Sequence, residues 1–187
     1  AGDQALYARS MQVHAGMLEA MDFHIGRLID YLQQRGLAEN TIFVVTSDNG
    51  PEPSDPLSER GFAQWMAVQG YTRAIDNLGE RRSYAYIGPE FATATSTPGA
   101  LFKFYTTEGG VHVPLIVAGP GIAASRIDAR AFVTDIAPTL LERAGIAAPP
   151  QERVPMSGRS MASLLAGEVA TLRGPEEVIG IEVSGNS

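Results

Sequence analysis

The side chains with the most chemical potential lie in three short segments. Asp48-Asn49-Gly50 follows the run Thr41-Ile-Phe-Val-Val-Thr46. It therefore puts a carboxylate and an amide oxygen at the C-terminal end of a predicted strand, where ligands of α/β sheets bind. Two hard oxygen donors suit Ca²⁺ or Mg²⁺ better than a soft metal. An Asn-Gly pair also favours a hairpin turn, but Pro51-Glu52-Pro53 denies the second strand that such a turn needs. Lys103, in Leu101-Phe-Lys-Phe-Tyr105, is either a lysine on the solvent face of a short strand or a cation aimed at an anionic group. As a compact point charge it suits sulfate or phosphate oxygens. Glu108-Gly109-Gly110 is either a loop with two permissive glycines or a tight loop that brings Lys103 close to a metal.

The three histidines offer no metal-binding spacing. His14 falls in register with an apolar helical stripe and reads as a core residue. His24 lies beside that stripe and reads as a surface residue. His112 follows the glycine pair and reads as structural. No cysteine is present, which removes disulfides, thiolate metal sites and a cysteine nucleophile within these residues.

These groups must be positioned by the elements around them. Met11, Leu18, Met21, Ile25, Leu28 and Leu32 recur at spacings of three and four, which predicts a helix over Asp3–Arg35. Asp3 is placed to cap it and Gly36 to end it. Such a helix is about 45 Å long and suits a larger sheet than this chain builds alone. Gly16 and Gly26 inside it predict close packing on that sheet. Thr41–Thr46 reads as a buried parallel strand. A helix is expected around Gly61–Val68, followed by an irregular excursion through Tyr71–Gly99. Val111–Ala118 reads as a strand. Asp135 caps a helix running to Arg143, with Pro138 in its first turn and Gly145 after its end. Pro149-Pro150 begins a linker, Ser160 caps a helix over Met161–Ala166, and Val178–Val183 reads as a last strand. The order of elements indicates an α/β sandwich.

The chain has 187 residues and a net charge of −7. Its length and apolar content allow one domain or a large piece of one. The acidic balance argues against a nucleic-acid partner, because the phosphate backbone rewards clustered Lys and Arg. No stretch is apolar enough to span a membrane, and Ala1-Gly-Asp-Gln does not read as a signal peptide. Periplasm and cytoplasm both fit these residues.

Three separated segments together resemble the sulfatase family of the alkaline phosphatase superfamily. One is Met17–Leu32 with Asn40-Thr-Ile-Phe-Val-Val-Thr-Ser-Asp-Asn-Gly50. The second is Thr97-Pro-Gly-Ala-Leu-Phe-Lys103 running into Thr107-Glu-Gly-Gly-Val-His-Val-Pro-Leu-Ile-Val117. The third is Val133-Thr-Asp-Ile-Ala-Pro-Thr-Leu-Leu141 with Ala144-Gly-Ile146 and Gly158-Arg-Ser160. Tyr86-Ile-Gly-Pro-Glu-Phe-Ala92 resembles the bacterial arylsulfatase branch.

The resemblance implies a three-layer α/β sandwich of the alkaline phosphatase/sulfatase type, present here as an incomplete piece. Residues 1–187 would form the C-terminal portion of the catalytic domain. It implies hydrolysis of sulfate esters. Asp48 and Asn49 match metal ligands that bind Ca²⁺ in the family, which puts Ca²⁺ ahead of Mg²⁺. Lys103 matches the lysine that holds the sulfate group and serves the reaction there. His112 stands where arginine is common, so no role carries over to it.

The family nucleophile is a formylglycine made in a Cys/Ser-x-Pro-x-Arg motif. The nearest approach here, Ser96-Thr97-Pro98-Gly99-Ala100, lacks the arginine. The nucleophile is thus expected in an N-terminal half absent from these residues, and the chain alone is expected to be inactive. Two rival readings stand beside this one. One is a phosphate or phosphonate ester hydrolase of the same superfamily. The other is a non-catalytic fragment that self-associates through exposed apolar surface.

Overall fold

The computed structural model describes residues 2–147 and 156–183. The expected linker at Pro149-Pro150 and the side chain of Asp3 lie outside the described residues. The chain divides into two compact units. One takes the residues up to 36, then 49–114, and resumes at 181; the other takes 37–48 and 115–180.

The first unit opens with α1, Gly2–Gln34, close to the predicted helix. Gly36 follows it in the left-handed conformation at φ +66°, where a side chain is disfavoured and a helix stops. Contacts concentrate in the first half of α1. Ser10 is buried, and Arg9 Nη2 donates to the Leu78 carbonyl at 3.0 Å. A Cβ on Gly88 would lie 2.8 Å from the Tyr7 ring, so glycine lets that tyrosine pack onto the backbone. Leu78, Met66, Ile87 and Ala92 form the buried apolar core of this unit.

The apolar stripe beyond that point is largely uncovered: Leu18, Met21 and Leu28 are each about half exposed. His14 is half-buried rather than core, and His24 is exposed. The expectation that Gly16 and Gly26 pack closely on a sheet is not met among the described residues, since nothing lies within 4 Å of a Cβ at either.

Helix α2, Phe62–Gln69, lies between Gly61 and Gly70, both at positive φ, as the predicted helix there requires. Helix α3, Gly88–Ser96, corrects the reading of Tyr71–Gly99 as wholly irregular. Its threonines have weak helix propensity, and Thr93 and Thr95 bond back to the carbonyls of Pro89 and Phe91. A proline in its first turn was the start signal available.

In the second unit, β1, Phe43–Thr46, pairs with β2, Leu115–Ala118. The pairing is antiparallel, in the register Phe43↔Ala118, Val44↔Val117, Val45↔Ile116 and Thr46↔Leu115. This corrects the buried parallel strand expected at Thr41–Thr46. A β-branched run does not encode the direction of its partner, and Val45 and Thr46 are exposed. Along β2 half-buried Leu115 and Val117 alternate with exposed Ile116 and Ala118, the period of a sheet with one covered face. On the covered face Val44 and Val117 line a small apolar cleft with Ile136, Leu140 and Met161.

That cover comes from α5, Ile136–Arg143, and α6, Ala162–Leu165. Gly145 at φ +66° follows α5, as expected. Ser160 Oγ accepts from Ala162 N at 3.1 Å, but α6 has Met161, not Ser160, in the cap position and is shorter than the expected Met161–Ala166. Asp135 precedes α5 but its side chain makes no cap to that helix; its carboxylate is used elsewhere. Residues 178–183 form no strand among the described residues, and Val178 is exposed. The chain is thus mixed α/β with a two-stranded sheet.

Candidate functional site

The candidate residues sit on short connections, not inside regular elements. Two residues past β1, the Asp48 carboxylate is exposed and Asn49 is half-buried. The Asn49 amide group donates to the Gly50 carbonyl at 2.9 Å. Gly50 N then donates to the Gly110 carbonyl at 2.9 Å. A Cβ on Gly50 would stand 1.9 Å from the Gly109 oxygen, so only glycine permits this backbone approach.

Glu108-Gly109-Gly110 is not a loop but the single helical turn α4, Glu108–Val111. It also takes Val111 from the strand expected at Val111–Ala118; His112–Pro114 are irregular, and the strand is confined to Leu115–Ala118. Both glycines are buried against backbone: a Cβ on Gly109 would meet the Leu101 oxygen at 2.0 Å, and one on Gly110 the Tyr105 oxygen at 2.1 Å. Gly109 N donates to the Ala100 carbonyl at 2.9 Å. The turn therefore seats the segment that carries Lys103 against the segment that carries Asn49.

Lys103 is not on a strand. Leu101 and Phe104 on either side of it have φ of +60° and +79°. Such angles are rare for residues with a Cβ and break an extended chain. Strain of this kind costs about 1–3 kcal/mol per residue and clusters at functional sites. Lys103 N donates to the Pro51 carbonyl at 3.1 Å, and its ammonium pairs with Glu52 Oε2 at 2.7 Å. Ser54 holds the other carboxylate oxygen of Glu52 through its backbone N–H at 3.0 Å and through its hydroxyl. Burial acts to raise the Glu52 pKa, but these bonds from Lys103 and Ser54 outweigh it and hold the carboxyl below its ordinary range. Glu52 was missed in the sequence because Pro51-Glu-Pro53 read only as a break in regular structure.

His112 pairs with Glu108 at 2.6 Å on an exposed face. The Ser96 hydroxyl donates to the Leu101 carbonyl at 2.6 Å, with the Thr93 carbonyl 3.0 Å away, so it braces the loop. For a divalent cation, Asp48 and Asn49 supply adjacent hard oxygens of the right kind. Among the described residues no group of three or more His, Cys, Asp or Glu converges. The pair therefore fits part of a cation shell, since Ca²⁺ takes six to eight oxygens.

The sequence model of the Sulfatase family matches residues 2–146. This chain belongs to the sulfatase family. That membership makes it part of a hydrolase family with an alkaline phosphatase-like fold, and the mixed α/β architecture agrees with it. The chain is 38% identical over 144 residues to an uncharacterized sulfatase of Schizosaccharomyces pombe, a match covering 76% of this chain and 26% of that protein. It is 35% identical over 146 residues to the arylsulfatase of Klebsiella aerogenes, covering 76% and 31%. A choline-sulfatase of Rhizobium meliloti is 28% identical over 138 residues, covering 74% and 19%. The sulfatase chain thus matches about a third or less of the length of each of these relatives. No helix among the described residues is long and apolar enough to cross a membrane.

Proposed function

We propose that the protein carrying these residues hydrolyses sulfate esters of small molecules, with Lys103 holding the sulfate group. The observation that carries this reading is the stapling of three segments by Gly50, Gly109 and the Lys103 backbone. It supports the reading because the backbone of Lys103 is bonded to Pro51, three residues after Asp48 and two after Asn49. In the reaction the Lys103 ammonium balances negative charge that builds on the sulfate or the leaving oxygen. Asp48 and Asn49 hold part of a Ca²⁺ shell. Ca²⁺ when bound supplies Lewis-acid stabilisation of charge at the reacting sulfate. An aryl ester is the favoured substrate, on the likeness to the Klebsiella aerogenes arylsulfatase and on Tyr86–Ala92.

We further infer that the 187-residue chain alone is inactive. Two ligands fill a minor part of a Ca²⁺ shell, the chain has no cysteine, and the Ser96 hydroxyl is engaged in bracing its own loop. The formylglycine nucleophile is expected on a residue outside these 187.

The test is p-nitrophenyl sulfate turnover by the polypeptide of the whole open reading frame and by this chain. The former should be active, and Lys103→Ala should lower its kcat/KM by about 10²–10³-fold, the scale of losing one transition-state donor. Undiminished activity of that variant would refute the role of Lys103. Turnover of p-nitrophenyl phosphate in preference to the sulfate would favour the phosphatase reading instead.

A further inference from the structure

The ion pair between Lys103 and Glu52 is poorly explained by stability. Their side chains are 33% and 47% exposed, and pairs this exposed contribute on the order of 0–1 kcal/mol. The carboxylate is nevertheless held deliberately. Pro53 restricts Glu52 to an extended backbone, Ser54 anchors one carboxylate oxygen through both its N–H and its hydroxyl, and the Lys103 N–H ties its own segment to Pro51. A fixed negative charge therefore sits 2.7 Å from the cation proposed to receive an anion.

Its effect depends on the charge of that anion. A sulfate monoester carries one negative charge, whereas inorganic sulfate carries two and a phosphate monoester close to two at pH 8. Repulsion by Glu52 scales with that charge, so it penalises a dianion about twice as much as a monoanion.

We infer that Glu52 is a specificity-determining residue that biases the Lys103 site towards monoanionic sulfate esters and against dianions, the released sulfate included. The inference rests on the proposed role of Lys103 in holding sulfate. It adds product discharge, and rejection of phosphate monoesters, to what that site does. Glu52 remains an anion at neutral pH because Lys103 and Ser54 hold its carboxyl below the ordinary range.

The experiment compares two probes of fixed charge, inorganic sulfate and methyl sulfate. Each is titrated into the ¹⁵N-labelled 187-residue chain in calcium-free buffer at constant ionic strength, and Kd is read from the amide shifts of Glu52, Lys103 and Gly109. Glu52→Gln should tighten sulfate about fivefold more than methyl sulfate, the scale of one unit of charge at about 4 Å near water. The difference should shrink in 0.5 M KCl as screening shortens the reach of the charge. Glu52→Asp, which keeps the charge, should retain most of the wild-type preference.

An unchanged ratio of the two Kd values in Glu52→Gln would overturn the inference. Weaker binding of both anions in that variant would also overturn it, and would make Glu52 a positioning residue for the ammonium. If Lys103→Ala binds both probes as the wild type does, or if neither probe binds any of these proteins saturably, the sulfate-holding role of Lys103 fails first and the inference with it. Far-UV circular dichroism checks that each variant keeps its helices.

Discussion

Asp135 has no exposed surface, yet its two carboxylate oxygens accept four hydrogen bonds. Phe132 N donates at 2.7 Å, Arg159 N at 2.8 Å, and the Arg173 guanidinium in a bidentate pair at 2.7 and 2.8 Å. Arg173 also lies over the Phe132 ring at 4.3 Å. Burial acts to raise the Asp135 pKa, but the Arg173 pair and the two backbone donors outweigh it and hold it below the ordinary value. A carboxyl with a lowered folded-state pKa stabilises fully above the unfolded value of about 3.9. That contribution is lost as pH falls through the folded value. Removing one partner of a buried pair strands the other, so Asp135→Asn should cost about 3–5 kcal/mol in urea unfolding at pH 7. The gap between wild type and variant should narrow as pH drops below about 4. A constant gap down to pH 2 would contradict this account. The residue was legible in the sequence as the start of a helix. Its partners were not, because nothing local links it to an arginine 38 positions later.

At the scale of elements, the helices with glycine stops were readable and the pieces around Lys103 were not. Gly36, Gly70 and Gly145 each end a helix at positive φ, a signal that lies within a few residues of its effect. The Lys103 segment looked like a strand because apolar residues flank it; Leu101 and Phe104 instead take positive φ in a loop whose carbonyls pack against the glycines of α4. The turn α4 was hidden for a related reason, since two glycines are poor helix formers and are present for close approach. Gly109→Ala would drive a Cβ to 2.0 Å from the Leu101 oxygen, and the strain should cost about 1–3 kcal/mol or more. Gly16→Ala meets nothing within 4 Å in the interior of α1 and should stabilise by up to about 1 kcal/mol. Thermal melts of the two variants should therefore move in opposite directions. A Gly109→Ala protein as stable as the wild type would remove the packing argument for that segment.

At the scale of the whole molecule, the exposed apolar residues stand out. Met17, Leu18, Met21, Phe23 and Leu28 are all exposed on α1, and Ile116 is exposed on β2. A periodic apolar stripe normally faces a core, and an exposed one on α1 marks an association surface. The chain should bind a hydrophobic dye strongly and elute from size exclusion as more than a monomer at raised concentration. A compact monomer with little dye binding would contradict this. The stripe itself was plain in the sequence; what would cover it is not encoded in the stripe. Nor was the pairing of β1 with β2 legible, because Asn49–Pro114 belongs to the other unit and comes between them. That excursion carries a cost in folding order. Joining Thr46 to Leu115 closes a loop about sixteen times longer than a four-residue turn, which adds about 2.4 kcal/mol of closure entropy at about 0.6 kcal/mol per doubling. The sheet is therefore expected late in folding, since four-residue strands so far apart in sequence pair durably only after the excursion between them has condensed.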